Sequence, residues 1–162
     1  MPDQPITSPL DIDRQRAAGT ALRETVVDLI DLSLIAKQAH WNVIGPHFRS
    51  LHLALDEVVT AARQFTDAAA ERATAIGVSP DGRAATVAQE SAAAGITDCW
   101  QSDTAVIDAM VGNLWTIIIR LRQRIESTAT ADPVTQDLLI DIAARLEQLH
   151  WMWQAQQAPV PK

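Results

Sequence analysis

The sequence has no tyrosine and a single cysteine, Cys99. One thiol cannot form an internal disulfide, so a small secreted domain held by disulfides is excluded, and we expect Cys99 to be a small buried side chain. Glycine occurs six times and proline eight times, which leaves long stretches without a residue that interrupts a helix. Aromatic residues make up only 4% of the chain, and this scarcity favours an all-α protein over a sheet protein.

Basic residues are also scarce: thirteen lysines and arginines stand against twenty aspartates and glutamates, for a net charge of −7. A negative protein repels the phosphate backbone of nucleic acids unless a local basic arm overcomes the repulsion. The N-terminal segment carries Asp3, Asp11 and Asp13 before its first arginine, and the C-terminal end offers only Lys162. We therefore predict weak or absent DNA binding.

Long hydrophobic runs are missing as well. The run TIIIRL is interrupted by Arg120, whereas a membrane span needs about 20 apolar residues, so we predict no membrane association. The first residues, MPDQPITSPLDID, lack the basic start and the apolar centre of a secretory signal. The sequence therefore predicts a cytoplasmic protein, with association with the nucleoid left open.

What the sequence does have is helical periodicity. From about Asp13 to His40, apolar residues recur at spacings of three and four, which mark one face of a helix. Gly45 and Pro46 are predicted to end this helix and to open a second one that runs to about residue 76. Residues 78–96 are predicted to be loop with one short helical piece, followed by a third helix over about 97–128. The fourth helix begins at residue 133.

These helices predict an all-α four-helix bundle with a long crossover between helices 2 and 3. At about 1.5 Å per residue they are rods of roughly 35 to 48 Å, long enough to pack side by side. We assign residues 1–12 to a flexible N-terminal arm, 13–157 to the bundle and 158–162 to a short C-terminal tail.

Metal-binding side chains concentrate on the second helix. The stretch HWNVIGPHFRSLHLALDE, residues 40–57, holds three of the four histidines. At 100° per residue, His52, Asp56, Asp67 and Glu71 fall on one face of the helix. Asp56 and Asp67 are nevertheless about 16.5 Å apart along the axis, so one helix cannot bring both pairs to one ion, whose ligands lie about 2 Å away.

A second copy of the helix can bring the two separated pairs of ligands to one metal ion. If two copies lie antiparallel across a two-fold axis, His52 and Asp56 of one chain face Asp67 and Glu71 of the other, and the contact repeats to give two equivalent sites. His40, at the end of the first helix, can join the first group. Imidazole and carboxylate ligands suit Fe(II), Mn or Zn better than Ca or Mg. A metal-free helical oligomer, in which this polar face hydrogen-bonds across the interface, stays open as an alternative.

The spacing HW-x10-H-x3-D-x10-D-x3-E, formed by His40, His52, Asp56, Asp67 and Glu71, resembles the ferroxidase signature of the Dps family, the miniferritins. The resemblance covers about residues 13–157. It implies a ferritin-like bundle, a hollow dodecamer with iron sites between two-fold-related subunits, and storage of iron oxidised preferentially by hydrogen peroxide, with zinc or manganese as substitutes. It leaves open a nucleoid-binding, DNA-protecting member with little catalytic role.

A second stretch, DPVTQDLLID, resembles the acidic three-fold pore through which iron enters the family's cage. Its residues Asp132, Asp137 and Asp141 would form a ring of carboxylates that concentrates Fe(II), although Asp132 is also expected to be an N-cap. Trp41 is a packing residue that can also intercept radicals formed near His40. The single Glu-x-x-His motif, Glu147 with His150, is expected to serve the surface or packing, because a di-iron centre inside one bundle needs two such motifs.

Overall fold

The computed structural model describes residues 5–157, so residues 1–4 and the predicted tail 158–162 lie outside the described part. Within it the chain forms five helices and two short strands. In chain order these are α1 Ile12–Asn42, β1 Val43–Ile44, α2 Phe48–Ala75, α3 Ala84–Glu90, β2 Gln101–Ser102, α4 Asp103–Thr128 and α5 Pro133–Gln154. The four long helices confirm the predicted all-α bundle, and α3 is the short helical piece expected between residues 78 and 96.

The long helices are arranged as two antiparallel hairpins. α1 packs along α2, α4 packs along α5, and the hairpins meet where α1 contacts α4 and α2 contacts α5. β1 follows α1 and pairs in parallel with β2, which precedes α4; Val43 lies opposite Gln101 and Ile44 opposite Ser102. The connection from α2 to α4 therefore returns along the length of the bundle, as the predicted crossover requires.

Two helix boundaries differ from the prediction. The third long helix begins at Asp103 rather than at residue 97, because residues 101 and 102 pair with β1 and the Ser102 hydroxyl caps the helix by accepting from Ala105 N at 3.2 Å. Pro46 precedes His47, the N-cap of α2, instead of lying in the first helical turn. Gly45 has a φ of +133°, a backbone conformation that residues with a Cβ atom rarely adopt.

The core lies between the four long helices. It is aliphatic, and its largest fully buried side chains include Leu29, Leu32, Leu51, Leu55, Met110, Leu114, Leu139 and Trp153. A smaller apolar cluster joins the first half of α1 to the last turns of α2 through Ala18, Leu22, Val26, Ala69, Ala73 and Ile76. This cluster fixes the first half of α1 against the last turns of α2, at the opposite end of the hairpin from His40 and His52.

The chain before α1 contacts this smaller cluster. Leu10 packs against it, and Gln15 Nε2 donates to the Ile76 carbonyl at 2.8 Å. Gly77 has a φ of +76°, and a Cβ at that position would lie 2.9 Å from the Ile6 carbonyl oxygen. α1 begins at Ile12, one residue before the predicted boundary. The flexibility of the arm 1–12 stays a prediction.

Helix α4 reaches the length and composition of a membrane span, with 18 residues of mean hydropathy 1.4, and is the one such helix among residues 5–157. Its apolar stripe, which includes Met110, Leu114 and Leu121, is buried against the other helices. A core helix therefore accounts for the hydropathy. The absence of membrane association stays a prediction.

Candidate metal centre

His40 and His52 lie face to face between the end of α1 and the first turns of α2. Their ring centroids are 3.6 Å apart and their planes are inclined by 24°. Nδ1 of His40 is 2.9 Å from the backbone oxygen of His52, and Nδ1 of His52 is 3.0 Å from the backbone oxygen of His40. Each histidine therefore holds the other through a main-chain carbonyl.

These two hydrogen bonds decide which ring nitrogen can bind a metal. A carbonyl oxygen only accepts hydrogen bonds, so Nδ1 of each ring carries the hydrogen and the neutral ring has its lone pair on Nε2. Neither Nε2 has a hydrogen-bond partner within residues 5–157. A backbone carbonyl on the second nitrogen is the arrangement that orients histidine ligands in metal sites. Phe48 supports the pair, with its ring centroid 5.1 Å from that of His52.

Asp56 lies beside this pair. Its Oδ1 is 3.3 Å from Nδ1 of His40 and 2.6 Å from the ammonium nitrogen of Lys37. The hydrogen bond from Lys37 lowers the pKa of Asp56 below its ordinary value, and the neighbouring His40 contributes in the same direction. Asp56 is therefore a carboxylate at neutral pH, as a metal ligand must be.

Sequence reasoning missed Lys37. It lies three residues before His40 on α1, and residues three apart share one face of a helix. That spacing could have predicted that Lys37 lies on the same side of α1 as His40. In the structure Lys37 neutralises Asp56, so a cation that binds there competes with an ammonium already in place.

Asp67 and Glu71 lie further along α2 and are exposed. No group of three His, Cys, Asp or Glu side chains is arranged to hold a metal ion within residues 5–157 of one chain. This agrees with the axial distance between the two pairs on α2. His40, His52 and Asp56 come together, while Asp67 and Glu71 do not join them in the same chain.

Comparisons with known proteins decide the family. The model of the ferritin-like domain matches residues 19–160. A DNA protection during starvation protein from Mycolicibacterium smegmatis is 34% identical over 128 residues, which cover 77% of this chain and 68% of that protein. The chain belongs to the Dps family of ferritin-like proteins. DNA protection during starvation protein 2 of Deinococcus radiodurans is also 34% identical, over 91% of this chain, and the chain spans 66% of its length.

Solved structures of Dps proteins have the same fold. The crystal structure of Dps92 from Deinococcus radiodurans superposes with a TM-score of 0.89 at 32% identity, covering 92% of this chain and 90% of that one. Dps from Mycobacterium smegmatis in a tetragonal crystal form superposes with a TM-score of 0.90 at 28% identity, covering 96% of this chain and 94% of that one. The expectation of a ferritin-like bundle is confirmed.

In this Dps chain the three aspartates of DPVTQDLLID differ in exposure. Asp132 is buried, as the expected N-cap of α5: it accepts from Thr135 N at 3.2 Å and from the Thr135 hydroxyl, and pairs with Arg72 Nη2 at 2.5 Å. Burial opposes its ionisation, but the hydrogen bonds from Arg72 and Thr135 outweigh burial and lower the pKa of Asp132. Asp137 and Asp141 are exposed.

A groove of about 860 Å³ separates α2 from α5. Asp56 and Glu57 line it on the α2 side, and Asp141 lines it on the α5 side together with Arg145. The groove therefore joins one of the predicted pore residues to one of the predicted metal ligands along a single open surface.

Three other expectations can be compared with the Dps fold. Trp41 is 62% exposed and adjoins His40 in the chain. Cys99 is exposed, so its expected burial was wrong; it lies in a bend of the crossover, outside any helix. Glu147 pairs with Arg122 at 2.6 Å, and the His150 ring stacks at 5.5 Å on Trp115, which is the expected packing role.

Proposed function

We propose that this chain is an iron-oxidising and iron-storing miniferritin that removes Fe(II) and hydrogen peroxide at sites between two-fold-related subunits of a dodecamer. The observation that carries the proposal is the half-site formed by His40, His52 and Asp56. Its imidazoles are oriented for binding through Nε2, yet residues 5–157 of its own chain supply too few ligands to complete a site.

The missing ligands are Asp67 and Glu71 of the partner subunit. They lie on the same face of α2 as His52 and Asp56, and Asp67 is about 16.5 Å from Asp56 along the helix axis. An antiparallel contact of two α2 helices brings each pair opposite its complement and creates two equivalent sites. Exposure of both carboxylates in the single chain supports this arrangement.

Iron oxidation follows from the chemistry of these ligands. Carboxylates are hard anionic ligands that favour Fe(III) over Fe(II), while the imidazoles bind incoming Fe(II). Two Fe(II) ions each give one electron to hydrogen peroxide; its O–O bond breaks, two protons are taken up and two molecules of water form. Because both electrons reach the same peroxide, no hydroxyl radical is released. Zinc or manganese can occupy the same ligands.

Fe(II) reaches the site by way of the acidic surface of α5. Asp137 and Asp141 form the pore ring, and Asp132 supports that ring by capping the helix on which they stand. From Asp141 the groove between α2 and α5 leads to Asp56. The carboxylates along the walls of the groove create a negative potential that attracts divalent cations.

Trp41 serves as a radical trap beside the site. When a peroxide receives only one electron and a hydroxyl radical forms, one electron and the indole proton pass from Trp41 to that radical, which becomes water and leaves a tryptophanyl radical. We propose that the protein works in the cytoplasm. We also propose that it binds DNA weakly or not at all, because its net charge of −7 repels the phosphate backbone. Tight retardation of DNA in a gel at low salt would contradict this prediction on DNA binding.

The test is the rate of peroxide-dependent Fe(II) oxidation in the double variant Asp67→Ala with Glu71→Ala. We expect the rate to fall at least tenfold while the helical circular dichroism is unchanged. The matched control, Glu90→Ala with Asp98→Ala, removes two exposed carboxylates on the crossover and should oxidise Fe(II) as the wild type does. Equal rates in the two double variants would refute the site.

A further inference from the structure

Arg72 directly follows the proposed ligand Glu71 near the end of α2. Its guanidinium reaches the start of α5 at two points. Nη2 donates to Oδ2 of Asp132 at 2.5 Å, and Nε donates to Oγ1 of Thr135 at 3.2 Å. Among residues 5–157, no other hydrogen bond or ion pair joins α2 to α5 or to its N-cap. The Arg72 side chain is therefore the polar link between these two helices.

The other contacts of α2 restrain its last turns less firmly. Towards the start of the helix, the groove of about 860 Å³ separates α2 from α5. On the opposite side, the last turns pack on α1 through Ala69, Ala73 and Ile76. Side chains form the ridges by which packed helices interlock, and the single methyl group of an alanine forms only a low one. Apolar packing therefore leaves the rotation of these turns to be fixed by Arg72.

The link fixes the direction in which the proposed ligands point. At about 100° per residue, Glu71 lies about 100° from Arg72 around the helix axis, and Asp67 lies a further 40° or so away. With Arg72 tied to α5, both carboxylates are turned away from α5, and both are exposed. Helix ends fray, so an anchor one residue from Glu71 limits the movement of this ligand.

We propose that Arg72 is a positioning residue of the metal site. Its two bonds to Asp132 and Thr135 hold Asp67 and Glu71 in the orientation that completes the half-site of a partner subunit. A displacement of about 1 Å in a reacting group can cost roughly 100-fold in rate. The inference rests on the proposed function, which supplies the metal that these carboxylates bind.

The link depends on the shape of the arginine side chain. A guanidinium is planar and presents its N–H donors in fixed directions, whereas the ammonium of a lysine is a single point of charge. Arg72→Lys therefore keeps the charge opposite Asp132 but loses the second bond, to Thr135. The Asp132 side chain is only 4% exposed, so removal of Arg72 alone would leave a buried carboxylate without its partner and destabilise the fold.

The decisive variant removes both members of the pair, Arg72→Met with Asp132→Asn, because asparagine caps a helix as well as aspartate does. The experiment records the visible absorption spectrum of Co(II) bound to the full chain. Co(II) accepts the same imidazole and carboxylate ligands, and its spectrum changes with their number and geometry. We expect the double variant to bind Co(II) at least tenfold more weakly than the wild type, with a shifted spectrum, and Arg72→Lys to lie between them.

The matched control is Arg122→Met with Glu147→Gln, which removes an ion pair between α4 and α5. It should keep the wild-type Co(II) affinity and spectrum. Helical circular dichroism and urea unfolding show whether each variant folds. A folded Arg72→Met, Asp132→Asn variant with the wild-type affinity and spectrum would overturn the inference, because the pair would then only stabilise the fold. A control that loses Co(II) to the same extent would overturn it as well.

Two further variants keep the result unambiguous. If the double variant does not fold, Arg72→Lys decides, and a wild-type Co(II) spectrum in that variant would overturn the inference. Asp67→Ala with Glu71→Ala tests the proposed function separately and should lose the wild-type spectrum. If it binds Co(II) as the wild type does, the proposed function and the inference both fail. If it loses Co(II) while the Arg72 variants do not, only the inference fails.

Discussion

The ammonium of Lys37 lies 2.6 Å from Oδ1 of Asp56, so a proposed iron ligand is already paired with a cation of the same chain. The Lys37 side chain is 25% exposed and that of Asp56 is 45% exposed. Partly solvated pairs of this kind contribute about 0.2–1 kcal/mol. A metal that binds Asp56 has to displace this interaction, which sets a modest limit on its affinity.

We therefore expect Lys37→Met to bind Zn(II) more tightly than the wild type does, by at most about fivefold, the equivalent of roughly 1 kcal/mol. Calorimetric titration without oxygen measures the difference. Lys37→Arg keeps the positive charge and should bind zinc as the wild type does. Weaker binding in Lys37→Met would mean that the lysine assists the metal instead of competing with it.

We expect the N-cap Asp132 to stabilise the fold, and Asp137 and Asp141 on α5 to serve iron uptake instead. Asp132→Ala removes the capping acceptor and the partner of Arg72, and we expect a loss of about 1–3 kcal/mol in the free energy of unfolding. Asp137→Asn with Asp141→Asn removes exposed carboxylates and should leave stability within about 0.5 kcal/mol. Urea unfolding at fixed protein concentration measures both.

The same double variant should slow iron uptake. Without the carboxylates of Asp137 and Asp141, the potential that concentrates Fe(II) weakens, and the initial rate of mineral formation at low salt should fall several-fold. Salt screens such potentials, so the difference from wild type should shrink as salt is raised. A rate equal to that of the wild type at low salt would contradict the proposed route along α5.

Asp28 is a fully buried carboxylate held between two arginines of α4: Arg120 Nε lies at 3.0 Å and Arg124 Nη2 at 2.7 Å. Removing the carboxylate leaves both arginines without their central partner, and such changes cost about 3–5 kcal/mol. We expect Asp28→Ala to lose that much unfolding free energy in urea. Asp31→Ala, three residues further along α1 and only partly buried, should lose less than about 1 kcal/mol.

His150 makes the fold sensitive to acid. Burial lowers its pKa below the ordinary 6.5, and the opposing influence of Glu147 is smaller. The unfolded chain therefore takes up a proton at a higher pH than the folded chain does, so stability is lost as the pH falls below about 6.5. Melting curves from pH 7.5 to 5.5 should show a smaller decrease in His150→Gln than in the wild type. Parallel decreases would show that other groups control the acid response.

The sequence predicted the long helices well because the spacing of apolar residues reports which face is buried. It also predicted which of the proposed metal ligands share one face of α2, since side chains on one helix have fixed angular and axial positions. The structure brings His40, His52 and Asp56 together as expected. Asp67 and Glu71 do not join them in the same chain, so completion of the site by a partner subunit stays a prediction about assembly.

The errors concern contacts between segments far apart in the chain. The start of α4 depends on pairing between Gln101 and Val43, which no local pattern signals. The pairing of Lys37 with Asp56 requires α1 and α2 to be placed side by side first. The exposure of Cys99 depends likewise on the path of the crossover, because a small apolar residue is compatible with either environment.

The central claim is that each iron site is shared by two chains, and mixing two inactive variants tests it most directly. One variant carries His52→Ala with Asp56→Ala, and the other carries Asp67→Ala with Glu71→Ala. If the chains pair at random when refolded together, half of the pairs contain one of each, and in such a pair one of the two sites has all its ligands. The mixture should therefore recover about a quarter of the wild-type rate of peroxide-dependent Fe(II) oxidation, whereas a mixture as inactive as its separate components would contradict a shared site.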